Sequence, residues 1–156
     1  MSYSSNGNGN RPKLSEKGLL TPDNCVVAFI DHQPQMLFGT SNFDRQGIIN
    51  NTVAFGKATR VFDVPVVLTT VETKSFSGNM WPQLRAVFQD QEPIERSSMN
   101  SWDDKNFVAA IEKIGRKKIV LAGLWTFGRR SVLPFRQCKQ FMTATKSTSS
   151  RIAAET

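Results

Sequence analysis

The stretch CVVAFID, residues 25–31, decides the fold class of this chain. It is a short, uninterrupted apolar run rich in Val, Ile and Phe, as expected for a strand that is buried on both faces. Two later stretches have the same character, VPVVLTT (64–70) and KKIVLAG (117–123). Apolar residues at helical spacing fill the intervals, at 44–62, 80–88 and 103–114. Strands that alternate with helices predict right-handed βαβ units and therefore an α/β fold with a parallel sheet.

The two ends of the chain differ from this central part. Residues 1–15 are mostly polar, with Gly, Ser and Asn throughout the first ten, and we expect a disordered leader there. Residues 127–156 have neither a strand nor a helix period, so we expect a disordered tail and place the folded domain at 20–126. Three strands are few for a sheet of this kind, and the third should then have an unpaired edge.

Charge and composition exclude several functions. The net charge is +7, but residues 1–126 contribute only +2 and residues 127–156 contribute +5. A nucleic-acid binder would be expected to carry its basic face on the folded part, so we expect no nucleic-acid partner. No apolar run reaches the roughly 20 residues that span a bilayer. The first residues show no apolar segment after a basic start, so we expect no signal peptide and a cytoplasmic location without a membrane partner.

Metal and cofactor sites are not predicted either. One histidine and two separated cysteines provide no zinc-ligand pair, and no Gly-x-Gly-x-x-Gly motif follows the first strand to hold a dinucleotide.

Polar and aromatic residues follow each predicted strand. Because ligands bind at the carboxyl ends of parallel strands, these residues form a candidate site. They are Asp31, His32 and Gln33, then Thr69, Thr70 and Glu72, and finally Trp125 and Thr126.

Each candidate also has a purely structural interpretation. Asp31 is equally suited to capping the next helix, and a single histidine such as His32 is more often packed or solvated than catalytic. Glu72 reads as a solvated loop acid, and Arg96 as one half of a surface ion pair. Trp102 and Trp125 read as core or rim aromatics.

Four stretches together resemble the isochorismatase-like cysteine hydrolases, and most of all their YcaC-type branch. They are VVAFIDHQ (26–33), PVVLTTVET (65–73), ERSSMNSWDDKNFVAAI (95–111) and KKIVLAGLWT (117–126). The resemblance implies a three-layer α/β/α sandwich, a homo-oligomer, and hydrolysis of a small molecule at a C–N or C–O bond. In line with the residue pattern, we expect no cofactor.

The resemblance also implies a catalytic set of an acid, a base and a cysteine. The acid corresponds to Asp31 and the base to Arg96, while we take Gln33, Glu72, Trp102 and Trp125 as candidate substrate contacts. The nucleophile of the family stands in a Gly-x-x-Thr-Glu-Val-Cys motif after the third predicted strand. Here Gly123 to Thr126 are followed by Phe127-Gly128-Arg129, so the glutamate, the valine and the cysteine are missing.

A shift of reading frame accounts for the missing residues. Read one base earlier from Phe127 onward, permitted codons give Leu-Trp-Thr-Glu-Val-Cys, then a helical pattern and a strand that ends in Thr-Asp. We therefore hypothesise a frameshift near codon 126, a domain that is incomplete on its C-terminal side, and a polypeptide without activity. The alternatives are a short variant that evolved as such, and a non-catalytic remnant or interaction subunit on the same scaffold.

Overall fold

The computed structural model describes residues 20–41, 43–125 and 141–143. The predicted leader and most of the predicted tail lie outside these residues. The strands are β1 Cys25–Ile30, β2 Val66–Val71, β3 Ile94–Arg96, β4 Lys118–Gly123 and β5 Phe141–Thr143. The helices are α1 Pro34–Phe38, α2 Arg45–Val61, α3 Pro82–Arg85 and α4 Lys105–Ile114, with a 3₁₀ turn at Ser101–Asp103.

The strands form one parallel sheet in the order β3-β2-β1-β4-β5. β1 is central among the predicted strands: Ile30 lies opposite Thr69 of β2 on one side and Gly123 of β4 on the other. The predicted parallel α/β fold is confirmed. All carboxyl ends of the strands meet at one edge, which is where the candidate residues follow them.

The alternation of β1 explains the layers. Val27 and Phe29 pack into a cluster with Leu84 and Phe88, on the face that α2 and α3 cover. The intervening Val26 and Ala28 belong to a second cluster on the opposite face. There they pack with Phe107 and Ile111 of α4. A strand with apolar side chains on both faces fits only between two helical layers, and this arrangement gives the sandwich.

The helix ends follow local rules. Asp104 caps α4, since its Oδ1 accepts a hydrogen bond from the Phe107 amide at 2.9 Å. Gly115 ends the helix in the left-handed region at φ 68°, where glycine has no Cβ to clash. The longest helix of the described residues is α2, with 17 residues, and none in this part of the chain is long and apolar enough to cross a bilayer.

Among the described residues, four short elements were not predicted, namely α1, β3, β5 and the 3₁₀ turn, and the helix predicted at 80–88 is present only as α3 Pro82–Arg85. β5 pairs with Ile119–Leu121, so the expectation that β4 has an unpaired edge is wrong for these three residues. Elements of three to five residues are too short to show a period, which is why the sequence did not reveal them.

Candidate active site

An ion pair between a buried arginine and a partly buried aspartate lies at the carboxyl edge of the sheet. Asp31 follows β1 and Arg96 ends β3, and β2 runs between the two strands. The Arg96 Nη2 atom lies 2.5 Å from Asp31 Oδ1, with side-chain exposures of 0% and 14%. Thr69 of β2 donates its hydroxyl to the same carboxylate oxygen at 3.3 Å. Residues 65 positions apart therefore form one charged site.

Local backbone geometry sets the direction of both side chains. Asp31 has φ 53°, in the left-handed region that is costly for a residue with a Cβ. Its amide donates to Thr69 O at 3.2 Å, which fixes the turn at the end of β1. The Arg96 Nη1 atom donates to the Ser98 carbonyl at 2.6 Å, so the guanidinium is held from two sides. Thr69 stood among the edge residues of the sequence but had no assigned role, and the Ser98 carbonyl is a backbone group that leaves no side-chain signal.

The electrostatics of the pair favour proton uptake by the carboxylate. Burial raises the pKa of the Asp31 carboxyl above its ordinary 3.8, and the hydrogen bonds and charge of Arg96 and Thr69 offset only part of that rise. A carboxylate with a raised pKa is a stronger base than an exposed aspartate. It is nevertheless held in place by a cation, and this combination suits a group that takes a proton from a neighbouring nucleophile.

His32 is a packed side chain. It is buried, and burial lowers its pKa from 6.5 to about 3, so the imidazole is neutral. Its ring lies edge-on to Phe29 and Trp81, with centroid distances of 5.6 and 5.1 Å. Its Nδ1 atom has no hydrogen-bond partner among the described residues. The structural interpretation of the single histidine fits this environment.

The Gln33 amide is fully engaged by the main chain. It donates to the carbonyls of Val71 at 3.0 Å and Gly78 at 2.5 Å, and its oxygen accepts from the Val71 amide at 2.9 Å. Because Val71 lies opposite Arg96 in the sheet, Gln33 ties the loop that carries Asp31 to the strand beside Arg96.

The remaining candidates lie in three different settings. Glu72 is exposed and accepts from Ser75 Oγ at 3.1 Å, while its amide donates to Arg96 O at 3.0 Å. Trp102 is half-buried and packs edge-on against Phe107 at 5.2 Å, in the cluster on the α4 face. Trp125 is 43% exposed, and its indole nitrogen donates to the carbonyl of Met36 in α1 at 2.9 Å.

The described cysteine is not part of the site. Cys25 begins β1, at the edge of the sheet opposite to Asp31. Its thiol donates to Thr21 O at 3.2 Å, and burial raises its pKa. A thiol of this kind is a poor nucleophile. Cys138 lies outside the described residues. Within residues 20–41 and 43–125, no group of three or more His, Cys, Asp or Glu side chains could hold a metal ion.

Comparison with known proteins gives consistent matches over this region. The sequence model of the isochorismatase domain matches residues 25–128. "Probable hydrolase YcaC" of Escherichia coli (strain K12) is 32% identical over 108 residues, which are 69% of this chain and 52% of the relative.

Solved structures agree. The YcaC gene product of Escherichia coli, an octameric hydrolase of unknown specificity, matches with a TM-score of 0.64 and 31% identity. YcaC from Pseudomonas aeruginosa, solved with hexane-2,5-diol and covalent acrylamide, matches with the same values. Each match covers 67% of this chain and 52% of the other, so the chain spans about half the length of its relatives.

Proposed function

The chain belongs to the isochorismatase family, and from this premise we propose that its site was built to hydrolyse a C–N or C–O bond of a small molecule through a cysteine thiolate. The observation that carries the proposal is the buried Asp31–Arg96 pair at the carboxyl edge, with its 2.5 Å contact and the raised pKa of Asp31. Relatives named as hydrolases support the reaction class.

In this mechanism Asp31 acts as the base. Its carboxylate takes the proton of a thiol, and the resulting thiolate attacks the electrophilic carbon of the substrate. The leaving group departs with the proton from Asp31, and water then hydrolyses the covalent intermediate. Arg96 holds the carboxylate in position and stabilises the negative charge that develops beside it.

Four residues are proposed as the surroundings of the substrate. Glu72 follows β2 with an exposed carboxylate, Trp102 lies in the 3₁₀ turn after β3, and Trp125 follows β4 and is partly exposed. Gln33 acts by position, since its amide is occupied by Val71 and Gly78 and it fixes the loop of Asp31.

For this polypeptide itself we propose the absence of hydrolase activity, with the scaffold retained as a remnant or interaction subunit. Two observations support this. Phe127 stands where the resemblance implies a glutamate, and the described Cys25 lies at the wrong edge of the sheet with a raised pKa. The cause that we propose is a frameshift near codon 126.

Alkylation by acrylamide tests this proposal, since the Pseudomonas aeruginosa relative carries covalent acrylamide. We expect slow labelling of Cys25 in the chain as it exists, at the rate of an ordinary buried thiol, measured by intact mass. A form in which Thr126 is followed directly by the Glu-Val-Cys of the second frame should gain one fast-labelled thiol, and the additional change Asp31→Asn should slow the labelling of that thiol. A fast-labelled thiol in the present chain would contradict the proposed inactivity.

Self-association is proposed for the polypeptide in which the second reading frame restores Glu-Val-Cys after Thr126. The octameric state of the Escherichia coli relative supports it. So do the exposed aromatic side chains of this chain, which include Phe38, Phe43 and Phe76. Sedimentation velocity should show a species larger than a monomer, and a monomer at micromolar concentration would contradict it. A cytoplasmic location also stays a proposal, supported by the free thiol of Cys25.

A further inference from the structure

The codons that can encode Phe127, Gly128 and Arg129 permit a second reading, one base out of register, of the three residues after the end of β4. Leu124-Trp125-Thr126 are followed by Phe127-Gly128-Arg129. The codons UUU, GGA and CGN encode the second set. Read one base earlier, with C as the third base of codon 126, the same nucleotides give CUU-UGG-ACG, which is again Leu-Trp-Thr.

We propose that the eight nucleotides CUUUGGAC stand twice in tandem at this point. They encode Leu124 and Trp125 and supply the first two bases of the Thr126 codon. Because eight is not a multiple of three, every codon after Thr126 is read out of the earlier register. This inference rests on the frameshift proposed above and assigns its molecular event.

The residues present meet strict conditions set by a duplication. Tryptophan has the single codon UGG, so the second copy must place GGA at codon 128, and GGA encodes only glycine. Codon 127 must read U-N-U with the third base of the Leu124 codon in its middle, and Phe127 fits with CUU for Leu124. Codon 129 must begin with C, and Arg129 fits.

The structure separates this event from the loss of one base. Such a loss would require an earlier chain with Leu-Trp-Thr twice in succession between Gly123 and the following glutamate. β4 ends at Gly123 opposite Ile30, one residue before Asp31, so the next residues begin at the candidate site. Three extra residues would lengthen that connection by up to about 10 Å, whereas removal of the duplicate joins Thr126 directly to Glu-Val-Cys.

The nucleotide sequence of codons 124–132 is the first test. We expect CUU-UGG-ACC-UUU-GGA-C in the messenger, with the eight-nucleotide unit repeated without a mismatch. Any other Leu124 or Gly128 codon overturns the duplication, even if the second frame downstream still contains the Thr-Glu-Val-Cys codons.

Two matched genes provide the second test. One has a single copy of the eight nucleotides. The other restores the same downstream frame by one inserted base in codon 126 and so keeps Leu-Trp-Thr twice. We expect the thiol of the first product to react with acrylamide at least about tenfold faster than that of the second, since only the first brings it to Asp31. Equally fast labelling of both products overturns the duplication as the original event, because the three extra residues would then not keep the thiol from Asp31. Slow labelling of both products with an exact repeat in the DNA leaves the duplication standing and refutes the proposed function instead.

Discussion

Replacement of Arg96 by methionine tests whether the buried pair holds the site together. Methionine keeps most of the apolar volume and removes the cation from a carboxylate that is only 14% exposed. Breaking a buried pair by removal of one partner costs about 3–5 kcal/mol. Native domains have about 5–15 kcal/mol of stability in total. We therefore expect a large fall in the free energy of unfolding at neutral pH, measured by urea denaturation with far-UV circular dichroism.

The loss should depend on pH in a defined direction. The folded pKa of Asp31 lies above its unfolded value of 3.8, so between these two values the native state binds more protons than the unfolded state. The contribution of this group to stability is then greatest in acid and decreases as pH rises through the folded pKa. Arg96 lowers the pKa of Asp31, so Arg96→Met raises that pKa further. The pH range in which proton binding by Asp31 contributes to stability then extends closer to neutrality. The variant should recover part of its lost stability between pH 8 and pH 5, relative to the parent.

A double-mutant cycle gives the coupling. Arg96→Met combined with Asp31→Asn removes both charges, and we expect it to be less destabilising than the sum of the two single changes by about 1–3 kcal/mol. Asp90→Asn is the matched control, because it breaks the exposed Arg60–Asp90 pair and should leave stability nearly unchanged. If Arg96→Met does not fold at neutral pH, Arg96→Lys keeps a charge and should give a measurable, intermediate loss. A loss that is equal at pH 5 and pH 8, or no larger than that of the control, would refute the reasoning.

Three other changes test single features of the fold. His32 is buried in its neutral form, with its pKa lowered from 6.5 to about 3. The free energy of unfolding should therefore fall by about 1.4 kcal/mol for each pH unit below 6.5. His32→Phe should remove this pH dependence, and an unchanged dependence in urea titrations would contradict the reasoning. Glu72 has φ 48°, so Glu72→Gly should stabilise the chain by up to about 1 kcal/mol, while the same change at exposed Lys74 should destabilise it, as thermal melts will show. A Cβ at Gly39 would lie 2.6 Å from Trp125 Cζ2. Gly39→Ala should therefore displace the indole ring and shift the tryptophan emission to longer wavelength, and an unchanged emission spectrum would contradict this displacement.

Much of the fold follows from the sequence, because the long apolar runs of β1, β2 and β4 can be buried only between two layers. The strand β3 could not be predicted from the sequence, since Ile94–Arg96 has only three residues and shows no pattern of its own. Its pairing with β2 nevertheless brings Arg96 to Asp31. The sequence alone left Arg96 as a possible surface residue, and only the family resemblance gave it a role. The engagement of Gln33 with the Val71 main chain also depends on register, which residue types do not encode.

The place of β1 in the sheet has a consequence for synthesis on the ribosome. Cys25 pairs in register with Lys118, so each residue of β1 precedes its partner in β4 by 93 positions. At about 5–20 residues per second, β1 waits roughly 5–19 s for that partner to be translated. Throughout this interval one side of the most apolar strand is open to other nascent chains and to chaperones. The fraction of this polypeptide that folds without binding to other nascent chains or to chaperones should therefore depend on the translation speed through codons 26–118.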